Sequence, residues 1–212
     1  MFLVLHLFVS ASILRGEGAF RSVVGSWQRS PAIGLLVTIG ILVPLAFHAG
    51  YGLVLAIRER KSPSVFPERW WAVTQRATGA IAFVFVLLHL WDTTLSRFSS
   101  GAMPVAFQSI LEARLSTTTW GVPWIAMAYM IGIAATCFHF AAGLWSFTVV
   151  WGLSPSSRAK RRVAFTSGAV GIVLFGMGAL TVVKLATGAH IVEIPEPMPD
   201  GSERPACTSA PP

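Results

Sequence analysis

Five histidines punctuate the 212-residue chain: His6, His48, His89, His139 and His190. The first four are separated by 42, 41 and 50 residues, and each sits in a different apolar stretch. An ionisable side chain at membrane depth is costly and marks a functional site by default. Imidazole is also a common metal ligand near neutral pH. Spacings of this size equal one membrane helix plus one loop, so consecutive histidines lie on helices of opposite direction. Depth can then be compared. His6 lies eight residues from the outer end of the first apolar run, and His89 lies three residues before Asp92 near the outer end of the third. His48 lies nine residues, roughly 13 Å, from the inner end of the second run. His139 lies twelve residues before Trp151 at the inner end of the fourth. The chain therefore predicts two histidines in the outer half and two in the inner half. Each pair is drawn from alternate helices, one with three and two with four.

Such pairs suit two stacked bis-histidine haems. A porphyrin standing between helices takes one axial imidazole from each face. The six-coordinate iron is suited to electron transfer rather than oxygen binding. Small residues near the histidines let a backbone approach a flat ring: Gly50 and Gly52 after His48, Gly79 in the third run, and Gly143 one turn from His139. Pro44, one turn before His48, frees a backbone carbonyl and can bend its helix. Two other readings stay open on the pattern alone. A single intramembrane histidine can serve as an interhelical hydrogen-bonding residue. Scattered histidines can also form a proton relay in a haem-free transporter, although the second, fourth and fifth runs contain no Asp or Glu.

The elements that must position these side chains follow from hydropathy. The chain is 54% hydrophobic and only 12% charged, against about a quarter charged in soluble domains. Uncharged runs of about 20 residues cross a bilayer. Ala32–Ile57, Trp70–Trp91 (interrupted by Arg76), a stretch within Leu115–Ser157 and Val163–Val183 meet that length. Met1–Leu14 spans roughly 21 Å as a helix and is expected to be a short or truncated first membrane helix. The predicted fold is all-α: an integral membrane bundle of five transmembrane helices at about 1–14, 32–57, 70–92, 120–151 and 163–186. This gives one domain over 1–186 and a flexible, proline-rich polar tail over 187–212.

Charge supplies an orientation. Arg58, Arg60, Lys61, Arg69, Arg76, Arg158, Lys160, Arg161 and Arg162 crowd one side in two short stretches. The opposite side carries Arg15, Arg21, Arg29, Arg97, Arg114, Lys184 and Arg204 over longer segments. The denser side is expected to face the cytoplasm, with the N-terminus inside and the tail outside. The net charge of +7 is accounted for by these helix ends, so no nucleic-acid partner is expected. No glycine-rich phosphate loop, nucleophile elbow or Cys-x-x-Cys occurs. Cys137 and Cys207 fall in different compartments, and any haem is bound without thioether links, because Cys-x-x-Cys-His is missing. Trp70, Trp71, Trp120, Trp124 and Trp151 are expected to anchor the helices at the interfaces.

The stretches "FLVLHLF", "FHAGYGLVLAIRERK", "WWAVTQRATGAIAFVFVLLHLWD" and "CFHFAAGLWSFTVVWGLSPSSRAKRR" carry a specific resemblance. Their order and content resemble the dihaem cytochrome b subunits of succinate:quinone oxidoreductases, the type with a single large five-helix anchor. The resemblance reaches to about Lys184; the His-Phe-x-x-Gly-Leu-Trp and Gln-Arg-x-Thr-Gly stretches are its most telling parts. It implies that the chain anchors a flavoprotein and an iron–sulfur subunit at the cytoplasmic face of a bacterial membrane. It implies two haem b, with axial ligands at His6, His48, His89 and His139. It also implies electron transfer to or from a quinone, favouring menaquinone, and no dicarboxylate site on this chain. An anchor of another membrane dehydrogenase is the alternative within the class. Where some relatives hold a carboxylate beside the fourth ligand, this sequence has Cys137.

Secondary expectations attach to particular residues. Arg76 is a candidate partner for a propionate of the inner haem, its alternative being to snorkel to the headgroups. The loops Arg58–Arg69 and Pro155–Arg162 are expected to meet the iron–sulfur subunit. Two haems in series are useful if electrons cross the bilayer. A quinone site is therefore expected near the outer haem, with Asp92, Thr93, Thr94 and Glu17 as its polar groups.

Overall fold

The computed structural model describes residues 2–28, 32, 35–36, 38–58, 69–95 and 107–188. Among these, regular structure is helical, apart from one β-bridge between Thr119 and Val122. Helix α1, Phe2–Ser10, tightens into a 3₁₀ turn at Ala11–Arg15 and stops at Gly16, whose φ of 112° no other residue adopts easily. Helix α2 covers Glu17–Gln28. Helix α3, Val43–Arg58, follows a π-helical turn at Thr38–Leu42. Helix α4, Arg69–Leu90, runs on into a second π-helical turn at Trp91–Leu95. The short α5, Phe107–Ser116, precedes α6, Trp124–Val150, and α7, Ser157–Thr187.

Ile39–Arg58, Trp70–Thr93, Trp124–Val150 and Ser157–Thr187 are each long and apolar enough to cross a membrane, and Phe2–Arg15 is a shorter apolar helix beside them. Their outward surfaces agree. Phe47, Phe165 and Ile172 are 72%, 79% and 74% exposed, and they belong to a broad apolar surface along these helices that fits contact with lipid. A helix is the form in which a lipid-exposed segment satisfies its own backbone. The molecule is a multi-pass helical membrane bundle.

Two ends of the bundle can be told apart. Arg58, the start of α4 and the α6–α7 turn share the basic end; the α1–α2 turn, α5 and the start of α6 share the far end. At the basic end Ser156 accepts a hydrogen bond from the Ala159 amide at 3.2 Å. It caps α7 there, so Arg158, Lys160, Arg161 and Arg162 are helical. Charge marks where the membrane begins, whereas the cap marks where the helix begins. At the far end α7 closes on Gly188, with φ 67° and its amide on the Lys184 carbonyl at 2.9 Å.

The core is the seam between α6 and α7, joined by α4 on one side and α1 and α5 on the other. It is built on small residues, as lipid-embedded helices require, because backbone approach supplies the van der Waals attraction that a hydrophobic drive cannot. A Cβ on Gly171 would lie 2.9 Å from the Ala141 Cβ, and one on Gly178 would lie 2.7 Å from Ile133 Cγ2. A Cβ on Gly132 would overlap the Phe85 ring of α4. Leu7, Ile13, Leu115, Tyr129, Cys137 and Leu174 are buried around this seam. Helix α3 is different: none of its side chains is buried. It meets α6 through a histidine. The basic segment 59–68 and the tail from residue 189, with His190 and Cys207, lie outside the described residues.

Candidate metal centres

The four intramembrane histidines come together as two pairs, each bridging the helices expected from depth. His48 of α3 faces His139 of α6 with ring centroids 6.2 Å apart and planes inclined by 65°. His6 of α1 faces His89 of α4 at 5.6 Å and 74°. Two imidazoles sharing one metal have nitrogens ~2.0 Å from it, and with the ring centres about 1.1 Å further out the centroids stand ~6.2 Å apart. The first pair meets that figure and the second falls about half an ångström inside it. The two pairs sit at different levels. Gly79 of α4 lies level with His139, and His89 is ten residues further along the same helix, roughly 15 Å at 1.5 Å per residue.

The surroundings of His139 prepare its ring. The Gln75 carbonyl lies 3.1 Å from its Nδ1. A carbonyl only accepts, so Nδ1 carries the proton and the neutral ring leaves the Nε2 lone pair for a metal. Metal-binding histidines ordinarily hold their second nitrogen in this way. Gln75 also donates from Nε2 to the His139 carbonyl at 3.2 Å, locking the two helices at this level. Gly79 completes the fit: a Cβ there would lie 2.8 Å from His139 Cε1 and 3.0 Å from Nδ1. The ring rests directly on the α4 backbone.

The far-end pair has different neighbours. Phe85 stacks on His89 at 5.7 Å, and Tyr129 meets His89 edge-on at 6.0 Å. The Tyr129 hydroxyl donates to Asp92 Oδ2 at 3.1 Å, and Arg114 of α5 pairs with Asp92 Oδ1 at 2.7 Å. Asp92 is only 8% exposed. Thr93 donates to the His89 carbonyl at 2.6 Å within the π-helical turn, a distortion often found at functional sites. His89 Nδ1 is buried with no hydrogen-bond partner among the described residues. An orphaned buried nitrogen is costly unless a ligand satisfies it.

Among the described residues no three of His, Cys, Asp and Glu converge, so each centre offers two imidazoles. Zinc sites need three or four protein ligands. Two imidazoles would suit an iron whose other four ligands come from a macrocycle. No family model matches the chain, and no solved structure matches it. It is similar to the succinate dehydrogenase cytochrome b558 subunit of Bacillus subtilis (strain 168), with 31% identity over 180 residues, 84% of this chain and 85% of the relative. The chain belongs to the succinate dehydrogenase cytochrome b subunit family.

The remaining expected residues of this cytochrome b family member fall at the two ends. Arg76 is on an exposed part of α4, one helical turn toward the basic end from Gly79. Asp92 is tied into an ion pair and a tyrosine hydrogen bond rather than standing free. Glu17 opens α2 at the same end; its side chain and that of Thr94 lie outside the described residues. Gln75 opens the Gln-Arg-x-Thr-Gly stretch, but a carboxamide inside an apolar run does not by itself point to His139, and its contacts there come from the fold. Tyr129 and Arg114 were missed because their link to Asp92 is made across three helices.

Proposed function

We propose that this chain is a dihaem cytochrome b that anchors the flavoprotein and iron–sulfur subunits of a succinate dehydrogenase to a bacterial cytoplasmic membrane. In this reading it connects them electrically to a membrane quinone. The observation that carries the proposal is the pair of histidine bridges, 6.2 Å and 5.6 Å between rings, at two levels of one bundle. His48 and His139 hold one haem b, and His6 and His89 hold the other. Bound in this way, the two haems supply reversible one-electron transfer between the basic end and the far end.

The protein's part is to bind, orient and insulate. Gln75 fixes the tautomer of His139 and Gly79 sets how close its helix comes. Phe85 and Tyr129 wall the His89 ring with aromatic surface. Arg76 balances a haem propionate at the basic end. The basic end faces the cytoplasm by the positive-inside rule, and its loops, 58–69 and 155–162, receive the iron–sulfur subunit. Quinone, as menaquinone, reacts near the far-end haem, where Asp92, held by its ion pair with Arg114, exchanges protons with the outer aqueous phase. Menaquinone's low potential makes succinate oxidation uphill, and a charge crossing 100 mV is worth about 2.3 kcal/mol. An outer site therefore lets the membrane potential assist.

A reduced-minus-oxidised absorption spectrum of the purified complex, with haem counted per chain, tests the haem reading; two haem b are expected. Co-purification of a flavoprotein and an iron–sulfur protein tests the anchoring. A spectrum without haem overturns the cytochrome reading in favour of a haem-free transporter. Two haems with a different catalytic partner point instead to the anchor of another dehydrogenase.

A further inference from the structure

A cavity of about 610 Å³ opens between α4, α6 and α7 in the half of the bundle nearest the basic end. It is not the histidine site. Its α6 wall includes Cys137, Ala141 and Trp145, about 120–160° around the helix from His139. The interior is almost wholly apolar, lined by small residues and aromatic faces, with Trp71 stacked on Phe138 at 6.0 Å along one side. Its mouth is cationic. Lys160 and Arg161, both exposed, line it on the first turns of α7. The Trp145 indole nitrogen donates to the Lys160 carbonyl at 3.3 Å, fixing that turn beside the opening. The stretch 151–162 holds four basic residues and no acidic one. Within the cavity wall, Ser167 is 2% exposed and its hydroxyl is buried without a hydrogen-bond partner among the described residues. Serines in lipid-embedded helices ordinarily bond back to a preceding carbonyl, as Thr181 does to Met177 at 2.9 Å.

An apolar slot with two cations at the headgroup level and a polar hydrogen in its wall matches an amphiphile with an anionic head, an ester-bearing neck and hydrocarbon tails. We propose that this cavity is a binding site for one anionic glycerophospholipid, with its phosphate on Lys160 and Arg161 and an acyl chain between the helices. Basic pockets between membrane helices hold lipid head groups by this chemistry. A quinone fits the slot's apolar walls but has no anion for the cationic mouth. The inner end of α7 also adds the positive end of its helix dipole to the same phosphate.

The test uses the full-length chain with its co-purifying subunits, delipidated in detergent and titrated with phosphatidylglycerol, phosphatidylcholine of the same chains, and a short-chain menaquinone. Binding is read by native mass spectrometry. One phosphatidylglycerol per chain should bind, and phosphatidylcholine should bind at least tenfold more weakly. The double variant Lys160→Gln/Arg161→Gln should lose about 30-fold in phosphatidylglycerol affinity, the equivalent of about 1 kcal/mol per charge. Gly168→Leu, which adds bulk to the cavity wall from a position with open space around its Cβ, should abolish binding while the complex stays monodisperse. Equal affinity for both phospholipids, an unchanged double variant, or displacement of the phospholipid by menaquinone would each overturn the proposal. Phosphatidylglycerol that Gly168→Leu still binds would place the lipid elsewhere and overturn it too.

Discussion

Gly79→Ala is the most discriminating substitution in the molecule. The added methyl would stand 2.8 Å from Cε1 of His139 and 3.0 Å from its Nδ1. Well-packed carbon atoms sit about 3.5–4.0 Å apart, so the ring must retreat by roughly 1 Å. It is not free to do so, because its Nδ1–H is held on the Gln75 carbonyl at 3.1 Å. A retreat of that size breaks the hydrogen bond, and a metal-binding histidine deprived of its outer hydrogen bond holds metal about 10–100-fold more weakly. The helix itself is not weakened, since alanine favours helix over glycine by about 1 kcal/mol. The expected result is therefore selective. Haem per chain falls from two toward one, the basic-end haem disappears from the difference spectrum, and the other keeps its band and midpoint potential. Gly176→Ala, whose Cβ meets nothing within 4 Å, is the control and should keep both haems. If Gly79→Ala retains two haems with unchanged potentials, then α4 and Gln75 do not set the ring position.

Other substitutions separate the two centres from the scaffold. His48→Ala and His139→Ala should each remove the same haem, and His6→Ala and His89→Ala the other; loss of one haem from His48→Ala and the other from His139→Ala would refute the pairing. Gly178→Val should destabilise the α6–α7 seam, where a Cβ already comes within 2.7 Å of Ile133. Overpacking of this kind costs about 1–3 kcal/mol, read as a lower midpoint in a thermal melt followed by circular dichroism. Asp92→Asn removes the Arg114 ion pair and weakens the Tyr129 bond, and should cut quinone turnover by about a hundredfold, the scale of a missing proton-transfer group. Retention of both haems with unchanged turnover would leave Asp92 a structural role only. Cysteines placed at Ser157 and Thr117 should label from opposite sides of a sealed vesicle, Ser157 from the cytoplasmic one; labelling from the reverse sides would invert the topology.

The bundle and the histidine pairing were legible in the sequence because both depend on one-dimensional quantities. Hydropathy over about 20 residues finds a span, and the distance of His48 or His89 from its helix end gives its depth. The rest depends on azimuth and on how residues far apart in the chain meet. Nothing in the order of residues says that Gln75 turns its carbonyl toward His139, 64 residues away, or that Tyr129 reaches Asp92. Helices α2 and α5 went unseen for a related reason. Each is only 12 or 10 residues long and mixes polar with apolar positions, so neither gives a membrane signal. Yet Leu115 at the end of α5 is among the most deeply buried side chains. The cavity beside Ser167 is not legible because its lining comes from three helices, and the small residues among it predict close packing rather than space.

Helix α3 carries a consequence for how such a protein is made. It has no buried side chain of its own and meets α6 where His48 reaches His139. The other spans meet on glycine and alanine seams, whereas among the described residues this span has little but the imidazole contact to hold it. In the dihaem reading, closure of α3 would wait for haem supply, a chain made during haem starvation would present a loose span to membrane proteases, and its abundance would report cofactor availability.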